Sequence, residues 1–105
     1  MEFKDSQTAR NLLKAFAGEC QARTRYTFAA SIARKEGFEH IAAIFMETAE
    51  NEKEHAKLFY KHLAPLAPSP LEITASYPVV AGDTAAQLKA AFEGENEEWS
   101  QLYPE

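Results

Sequence analysis

A proline-rich stretch in the second half of the chain does most to limit the folds it can adopt. Pro65, Pro68 and Pro70 follow a long segment of helical pattern, and proline removes a backbone donor and clashes with the preceding helical turn. The sequence therefore predicts a long connection, 64–83, that no helix can fill. A connection of this length is unusual in a small domain, but it can cross the length of a helical bundle.

The remaining sequence has apolar residues at the spacings of amphipathic helices. We predict helices over about 8–36, 39–63 and 84–103. Ser6 or Thr8 is suited to cap the first helix, Gly37 to end it, and Asp83 to cap the third. We therefore expect one all-α domain over residues 1–105, in which three long helices form an incomplete bundle with a crossover between the second and the third.

Charge and composition exclude several function classes. The net charge is -5 and the basic residues are scattered, which argues against a nucleic-acid partner because phosphate binding needs clustered Lys and Arg. Cys20 is the single cysteine, so no intrachain disulfide can form. The sequence has no apolar run of membrane-spanning length and no leader pattern after Met1. We therefore expect a cytoplasmic protein without a membrane partner.

Each predicted helix has acidic side chains in the middle of its apolar face. The face of the first helix consists of Leu12, Phe16, Glu19, Tyr26, Ala30 and Ala33. That of the second consists of Ile41, Phe45, Thr48, Glu52, His55, Phe59 and Leu63. The third has Leu88, Phe92, Glu95, Glu98 and Leu102. A carboxylate among apolar neighbours is costly unless it is paired or bound to a metal.

Packed together, the three faces would bring ligand-type side chains to one place. Glu52 and His55 form Glu-x-x-His, which offers a carboxylate and an imidazole from adjacent turns. The predicted metal ligands are Glu19, Glu52, His55, Glu95 and Glu98. Carboxylates with an imidazole suit iron or manganese, and ferritin-like bundles hold two metal ions with such sets. We therefore predict a ferritin-like bundle with a carboxylate-bridged, non-haem site for two Fe ions, with Mn as an alternative.

Simpler interpretations apply to several of these residues. A lone Glu-x-x-His on a helix is usually a solvated pair, but the apolar neighbours and the other two helices favour a metal site. Phe16, Phe45, Phe59 and Phe92 are expected to be core residues, and Cys20 a small core residue. Tyr26 is either structural or catalytic, since its hydroxyl could bind a ligand carboxylate or be oxidised.

Three segments resemble the helix signatures of the rubrerythrin family. They are Ala15–Tyr26 (AFAGECQARTRY), Glu47–Lys57 (ETAENEKEHAK) and Gly94–Trp99 (GENEEW), the last followed by Tyr103 and Pro104. The resemblance covers nearly the whole chain in the right order. It implies a ferritin-like fold with a non-haem di-iron centre that reduces hydrogen peroxide to water, and it assigns the same five ligands. Tyr26 and Tyr103 match tyrosines near the iron, and Glu95 is the carboxylate expected to relay protons.

The sequence departs from the family pattern in two ways. The rubredoxin-like domain with paired Cys-x-x-Cys is absent, so a separate rubredoxin-like donor is expected to supply electrons. The fourth helix, with another Glu and a Glu-His pair, is also absent. Leu13–Glu19 resembles Leu88–Glu95, so the chain contains about one and a half repeats of one pattern.

Three interpretations of the incomplete bundle stay open. The chain is a fragment of a longer protein, a truncated form with altered metal binding, or one half of a homodimer. The homodimer could form by association of two hairpins or by exchange of helices between the two copies. The dimer is the interpretation we favour. The rival functions are a ferritin-like iron-oxidising or iron-binding protein and a metal-poor helical module without catalysis.

Overall fold

The fold consists of three long α-helices. A computed structural model describes the backbone of residues 6–102 and the side chains of residues 6–93. The order is α1 (Gln7–Lys35), α2 (Glu39–His62), a short 3₁₀ helix (Ala64–Leu66) and α3 (Thr84–Leu102). The described residues contain no β-strand, so the predicted all-α class is confirmed. None of the described helices is long and apolar enough to cross a membrane.

Both ends of α1 follow from local sequence. The Ser6 Oγ accepts a hydrogen bond of 3.0 Å from the Ala9 N–H, which satisfies one of the free donors of the first turn. At the other end Gly37 has φ 88°, a conformation that L side chains rarely adopt. The Phe38 N–H then donates to the Ala33 carbonyl and the Gly37 N–H to the Arg34 carbonyl. This glycine-terminated cap turns the chain directly into α2.

α1 and α2 form an antiparallel hairpin, and their shared face is the hydrophobic core of the described chain. The buried members of this hairpin core are Tyr26, Ala29, Ala30, Ala33, Ala42, Phe45 and Ala49. The Tyr26 and Phe45 rings lie against each other with centroids 6.0 Å apart. The core is thus made of two aromatic rings surrounded by alanines, and it occupies the half of the hairpin nearest the turn.

The crossover returns along α1 after the 3₁₀ helix. It has no regular secondary structure between residues 69 and 81. Tyr77 attaches it to α1, because the Tyr77 hydroxyl donates a hydrogen bond of 3.1 Å to the Lys14 carbonyl. The Tyr77 ring lies over Gly18, where its Cε1 would be 3.6 Å from a Cβ added to that glycine. The middle of the crossover therefore passes beside the turn of α1 that contains Glu19.

α3 begins at the position that the sequence predicted. The Asp83 Oδ1 accepts a hydrogen bond of 2.9 Å from the Ala86 N–H, and Gly82, with φ 128°, directs the chain into the helix. A second carboxylate reaches this end from α1, since Glu36 Oε1 accepts hydrogen bonds from the Thr84 N–H (2.6 Å) and hydroxyl (2.5 Å). The first turn of α3 is thereby attached to the α1–α2 turn.

The described part of the apolar face predicted for α3 is exposed, which corrects the expectation for Phe92. The Phe92 side chain is 74% exposed and Leu88 is 42% exposed. α3 instead turns Thr84 and Gln87 inward, and Ala91 packs against the hairpin core. Leu88 and Phe92 lie on a neighbouring face, to which no other part of the described chain offers a covering surface.

The molecule is elongated, as an incomplete bundle should be. Its radius of gyration is 15.6 Å, whereas a compact domain of this length has about 13 Å. The largest contact surface lies between α1 and α2, and that between α1 and α3 is much smaller. One side of the bundle is therefore open.

Candidate metal centre

Glu19 lies on the face of α1 that continues toward the N-terminus from the hairpin core. Its side chain is 11% exposed, and its Oε2 atom is fully buried. Ala22 and Tyr26 follow on the same face at helical spacing, and both belong to or pack against the hairpin core. The helix therefore holds a carboxylate at the edge of an apolar surface, where an unbalanced charge would be costly.

Glu52 and His55 approach Glu19 from α2. Glu52 continues the buried face that contains Phe45 and Ala49, and its side chain is 17% exposed. The His55 Nδ1 atom lies 3.6 Å from Glu19 Oε2 and 4.0 Å from Glu52 Oε2. One ligand atom from each of the three residues lies within 4.8 Å of the other two. The structure thus brings together the three predicted ligands that belong to the hairpin.

His55 is more accessible than the sequence suggested. The apolar face predicted for α2 placed its imidazole inside, but the side chain is 55% exposed. The Nδ1 atom lies near Glu19 and Glu52, while more than half of the side chain stays accessible to solvent. Among the predicted ligands whose side chains are described, His55 is therefore the one that solvent reaches most easily.

The spacing and chemistry of these three side chains fit a metal ion. Two ligand atoms bonded to one ion at about 2.1 Å lie about 3–4 Å apart. The separations of 3.6 and 4.0 Å agree with this range, and both exceed the distance of a strong hydrogen bond. Two carboxylates and one imidazole match the preferences of iron and manganese.

Aromatic side chains cover the end of the site away from the hairpin core. Phe16 lies one turn before Glu19 on α1, and its ring stacks on Tyr60 of α2 with centroids 4.8 Å apart. Tyr60 is itself 62% exposed, so solvent reaches one member of this pair. At the other end Tyr26 is buried, with its ring against Phe45. Its catalytic role stays a prediction.

The predicted ligands of α3 lie outside the described side chains. Glu95 and Glu98 belong to a part of α3 whose backbone alone is described, and Tyr103 lies beyond the described residues. Their assignment as ligands or neighbours of a metal stays a prediction. The described side chains place the first turn of α3 beside the α1–α2 turn and Ala91 against the hairpin core.

Two neighbours of Glu19 influence the charge of the site. Burial raises the pKa of the Cys20 thiol, and the Glu19 carboxylate raises it further, while Arg23 acts in the opposite direction. Cys20 is therefore a half-buried thiol that stays protonated near neutral pH.

The sequence pattern did not single out Arg23, whose Nε atom is buried and has no hydrogen-bond partner among the described residues. Its position one turn after Glu19 was the available signal.

Comparison with known proteins agrees with this geometry. The family model for rubrerythrin matches residues 10–105. The chain is 61% identical to the rubrerythrin of Porphyromonas gingivalis over 102 residues, which cover 96% of this chain and 50% of that protein. It is 60% identical to the rubrerythrin of Clostridium perfringens over 103 residues, covering 96% and 53%. A nigerythrin of Nitratidesulfovibrio vulgaris is more distant, with 37% identity over 105 residues.

The matches cover nearly all of this chain but only part of each relative. The chain spans about half the length of the curated relatives it matches. The matched part includes α1, α2, the crossover and α3. The chain therefore belongs to the rubrerythrin family, and its three helices form part of a ferritin-like bundle.

Proposed function

We propose that this protein is a non-haem di-iron oxidoreductase that reduces hydrogen peroxide to water. The observation that carries the proposal is the convergence of Glu19, Glu52 and His55 from two helices onto one position. Family membership supports the same class of chemistry. The electrons would come from a separate rubredoxin-like donor, and the protein would work in the cytoplasm.

The proposal gives each ligand-type residue a defined task. Glu19, Glu52 and His55 would hold iron from the hairpin, and Glu95 and Glu98 would add carboxylates from α3. Two ferrous ions, when bound, supply the two electrons that convert peroxide and two protons into two molecules of water. A Mn-containing form would use the same ligands.

The remaining tasks are proton transfer and exclusion of water. Glu95 is our choice for the carboxylate that delivers protons, and Tyr26 is a candidate second catalytic residue. The stacked Phe16 and Tyr60 rings would keep water away from one side of Glu19 and Glu52. The open side next to His55 would admit peroxide, a molecule small enough to enter without movement of a helix.

A homodimer would complete the ligand set within this proposal. A second copy of Glu19 and of Glu52-x-x-His55 would supply the carboxylates and the imidazole that one hairpin lacks, as in other ferritin-like sites. In the alternative dimer, helices are exchanged between the two copies. The exposed Leu88 and Phe92 of one copy would then pack against the other copy. Light scattering after size-exclusion chromatography tests both versions, and a monomer in the iron-loaded protein would contradict them.

Iron binding is the direct test of the site. Glu52→Ala should lower the iron bound per chain to less than half of the wild-type value, because it removes one of three converging ligands. Glu54→Ala is the matched control, since it removes an exposed carboxylate two residues away on α2. Equal iron content in the two variants would contradict the proposed site. An anomalous diffraction signal at the iron edge beside Glu52 and His55 would support it.

Turnover distinguishes the proposal from its rivals. Iron-loaded protein with a reduced rubredoxin should consume peroxide, and His55→Ala should slow this reaction while the exposed control His62→Ala should not. Oxidation of ferrous iron by oxygen without peroxide turnover would favour the iron-oxidising alternative. Wild-type protein that binds no iron would favour the metal-poor helical module.

A further inference from the structure

Glu36 joins two helices that are distant in sequence. It directly follows α1, and its Oε1 atom accepts hydrogen bonds from both the N–H and the hydroxyl of Thr84, the first residue of α3. Thr84 is 3% exposed and Gln87, one turn later, is 7% exposed. The contact therefore lies in the most buried part of α3 that the structure describes.

A local helix cap does not need this contact. Asp83 already accepts a hydrogen bond from the Ala86 N–H, which is the usual N-cap interaction. Glu36 adds an acceptor from another helix, and it binds a hydroxyl as well as a backbone donor. Its distinctive effect is therefore on the position of α3 relative to α1.

The contact places the end of α1 beside the start of α3. Distances along the helices can therefore be counted from the α1–α2 turn. At a rise of about 1.5 Å per residue, Glu19 lies about 26 Å from Glu36 along α1. On the same scale Glu95 and Glu98 lie about 17 and 21 Å from Thr84 along α3. In α2, Glu52 and His55 lie about 20 and 24 Å from Glu39. The five residues thus lie about 17–26 Å along their helices, within about two turns of one another, so a slip of α3 by one turn, about 5.4 Å, would change which of them lie level.

We propose that Glu36 is a positioning residue that sets the axial register of α3 and so brings Glu95 and Glu98 level with the ligands of the hairpin. This inference rests on the proposed function for its purpose, but the register itself can be measured without metal. The small contact surface between α3 and α1 makes a single part-buried polar contact important. A carboxylate at the α3 N-terminus also interacts favourably with the helix dipole.

The test measures the register in the metal-free chain of residues 1–105. Spin labels are attached at the exposed positions Asn11→Cys on α1 and Glu93→Cys on α3, in a Cys20→Ser background. Labelled chain is mixed with excess unlabelled chain so that pairs between molecules do not contribute. The distance distribution from pulsed electron paramagnetic resonance then reports sliding of α3 along α1.

Three variants separate a positioning role from a general loss of structure. Glu36→Ala removes the acceptor, and Glu36→Gln keeps an oxygen that can accept both hydrogen bonds. Glu39→Ala removes an exposed carboxylate from the first turn of α2. We expect the distribution to shift or broaden by about one turn, 5.4 Å, in Glu36→Ala. The other two variants should match the unsubstituted protein, and circular dichroism should show equal helix content.

The same variants are then loaded with iron. Glu36→Ala should weaken iron binding about tenfold or more, the usual effect of a residue that orients ligands, and Glu36→Gln should restore it. An unchanged distance distribution in Glu36→Ala would overturn the inference. If Glu36→Ala loses helix content, Thr84→Val is used in its place, because it removes only the hydroxyl that donates to Glu36. The distance distribution and the iron binding are then judged as for Glu36→Ala. If α3 shifts as expected but the wild type binds no iron, the proposed function fails while the register role of Glu36 stands.

Discussion

The hairpin and α3 have similar amphipathic patterns, but they are held in different ways. α1 and α2 bury a continuous face that runs from Tyr26 to Ala33 on one helix and from Ala42 to Ala49 on the other. Among the described side chains of α3, only Thr84 and Gln87 are buried, and Leu88 and Phe92 are exposed. The hairpin therefore buries the larger surface and contains the three predicted ligands that meet, whereas the described part of α3 is held mainly by its first turn.

The largest expected effect concerns the hairpin core. Phe45→Ala should destabilise the protein by about 3 kcal/mol, because truncation of a buried phenylalanine loses apolar burial and leaves a cavity. Phe28→Ala is the matched control, since Phe28 is 63% exposed on α1, and it should cost less than about 0.5 kcal/mol. Urea unfolding followed by circular dichroism measures both. Similar losses in the two variants would mean that the hairpin face is not the main core.

The next test compares the glycines that begin α3 and end α1. Gly82→Ala places a Cβ 2.9 Å from the Ala86 Cβ at a φ of +128°, whereas a Cβ on Gly37 meets nothing within 4 Å at +88°. We expect Gly82→Ala to cost about 2 kcal/mol and Gly37→Ala about 1 kcal/mol.

Hydrogen exchange shows where each glycine acts. In the wild type, α3 amides should exchange faster than those of the hairpin core, because α3 buries less surface. Gly82→Ala should accelerate exchange in α3 and leave α2 unchanged. Equal acceleration throughout the chain would show that α3 and the hairpin unfold as one unit.

A smaller effect is expected where the crossover meets α1. Tyr77→Phe removes the hydrogen bond to the Lys14 carbonyl and should cost about 0.5–1 kcal/mol. Burial raises the pKa of Tyr77 in the folded protein, so its neutral form is the stabilising one. Its contribution is complete below the unfolded pKa of about 10 and is lost as the pH rises through the folded value.

Unfolding measured against pH tests this sign. The wild type should lose stability relative to Tyr77→Phe as the pH rises above about 10. Tyr60→Phe, which removes a hydroxyl from an exposed ring, is the control and should follow the wild type. A constant difference between wild type and Tyr77→Phe at all pH values would contradict the assignment.

The smallest effect is expected at the surface of the α1–α2 turn. Arg34 and Glu39 form an ion pair of 3.5 Å whose side chains are 56% and 71% exposed. Glu39→Ala should change stability by less than about 0.5 kcal/mol, because water and salt screen such pairs. A larger loss of unfolding free energy, measured in urea, would contradict this expectation. It would mean that the ion pair helps to hold the α1–α2 turn in addition to the glycine cap.

The sequence predicted the features that depend on neighbours along the chain. Gly37 and Asp83 lie where a helix end and a helix start were expected, since both act within a few residues. Glu19, Glu52 and His55 met because two adjacent helices joined by a short turn can only pack side by side. Periodicity could not decide which face of α3 turns inward, so Phe92 was assigned to the core. The contact between Glu36 and Thr84 joins residues too far apart in sequence for a local pattern to reveal it.

The alanines between α1 and α2 have a consequence for the metal centre. Ala29, Ala30, Ala33, Ala42 and Ala49 are each at most 1% exposed, and such small side chains permit close packing of two helices. Glu19 and Glu52 follow on the same two helices and, together with His55, place one ligand atom each within 4.8 Å of one another. A longer residue at any of these alanines would widen the gap between the helices and draw the carboxylates apart. We therefore expect the separation of the three predicted ligands to depend on the smallest side chains of the hairpin.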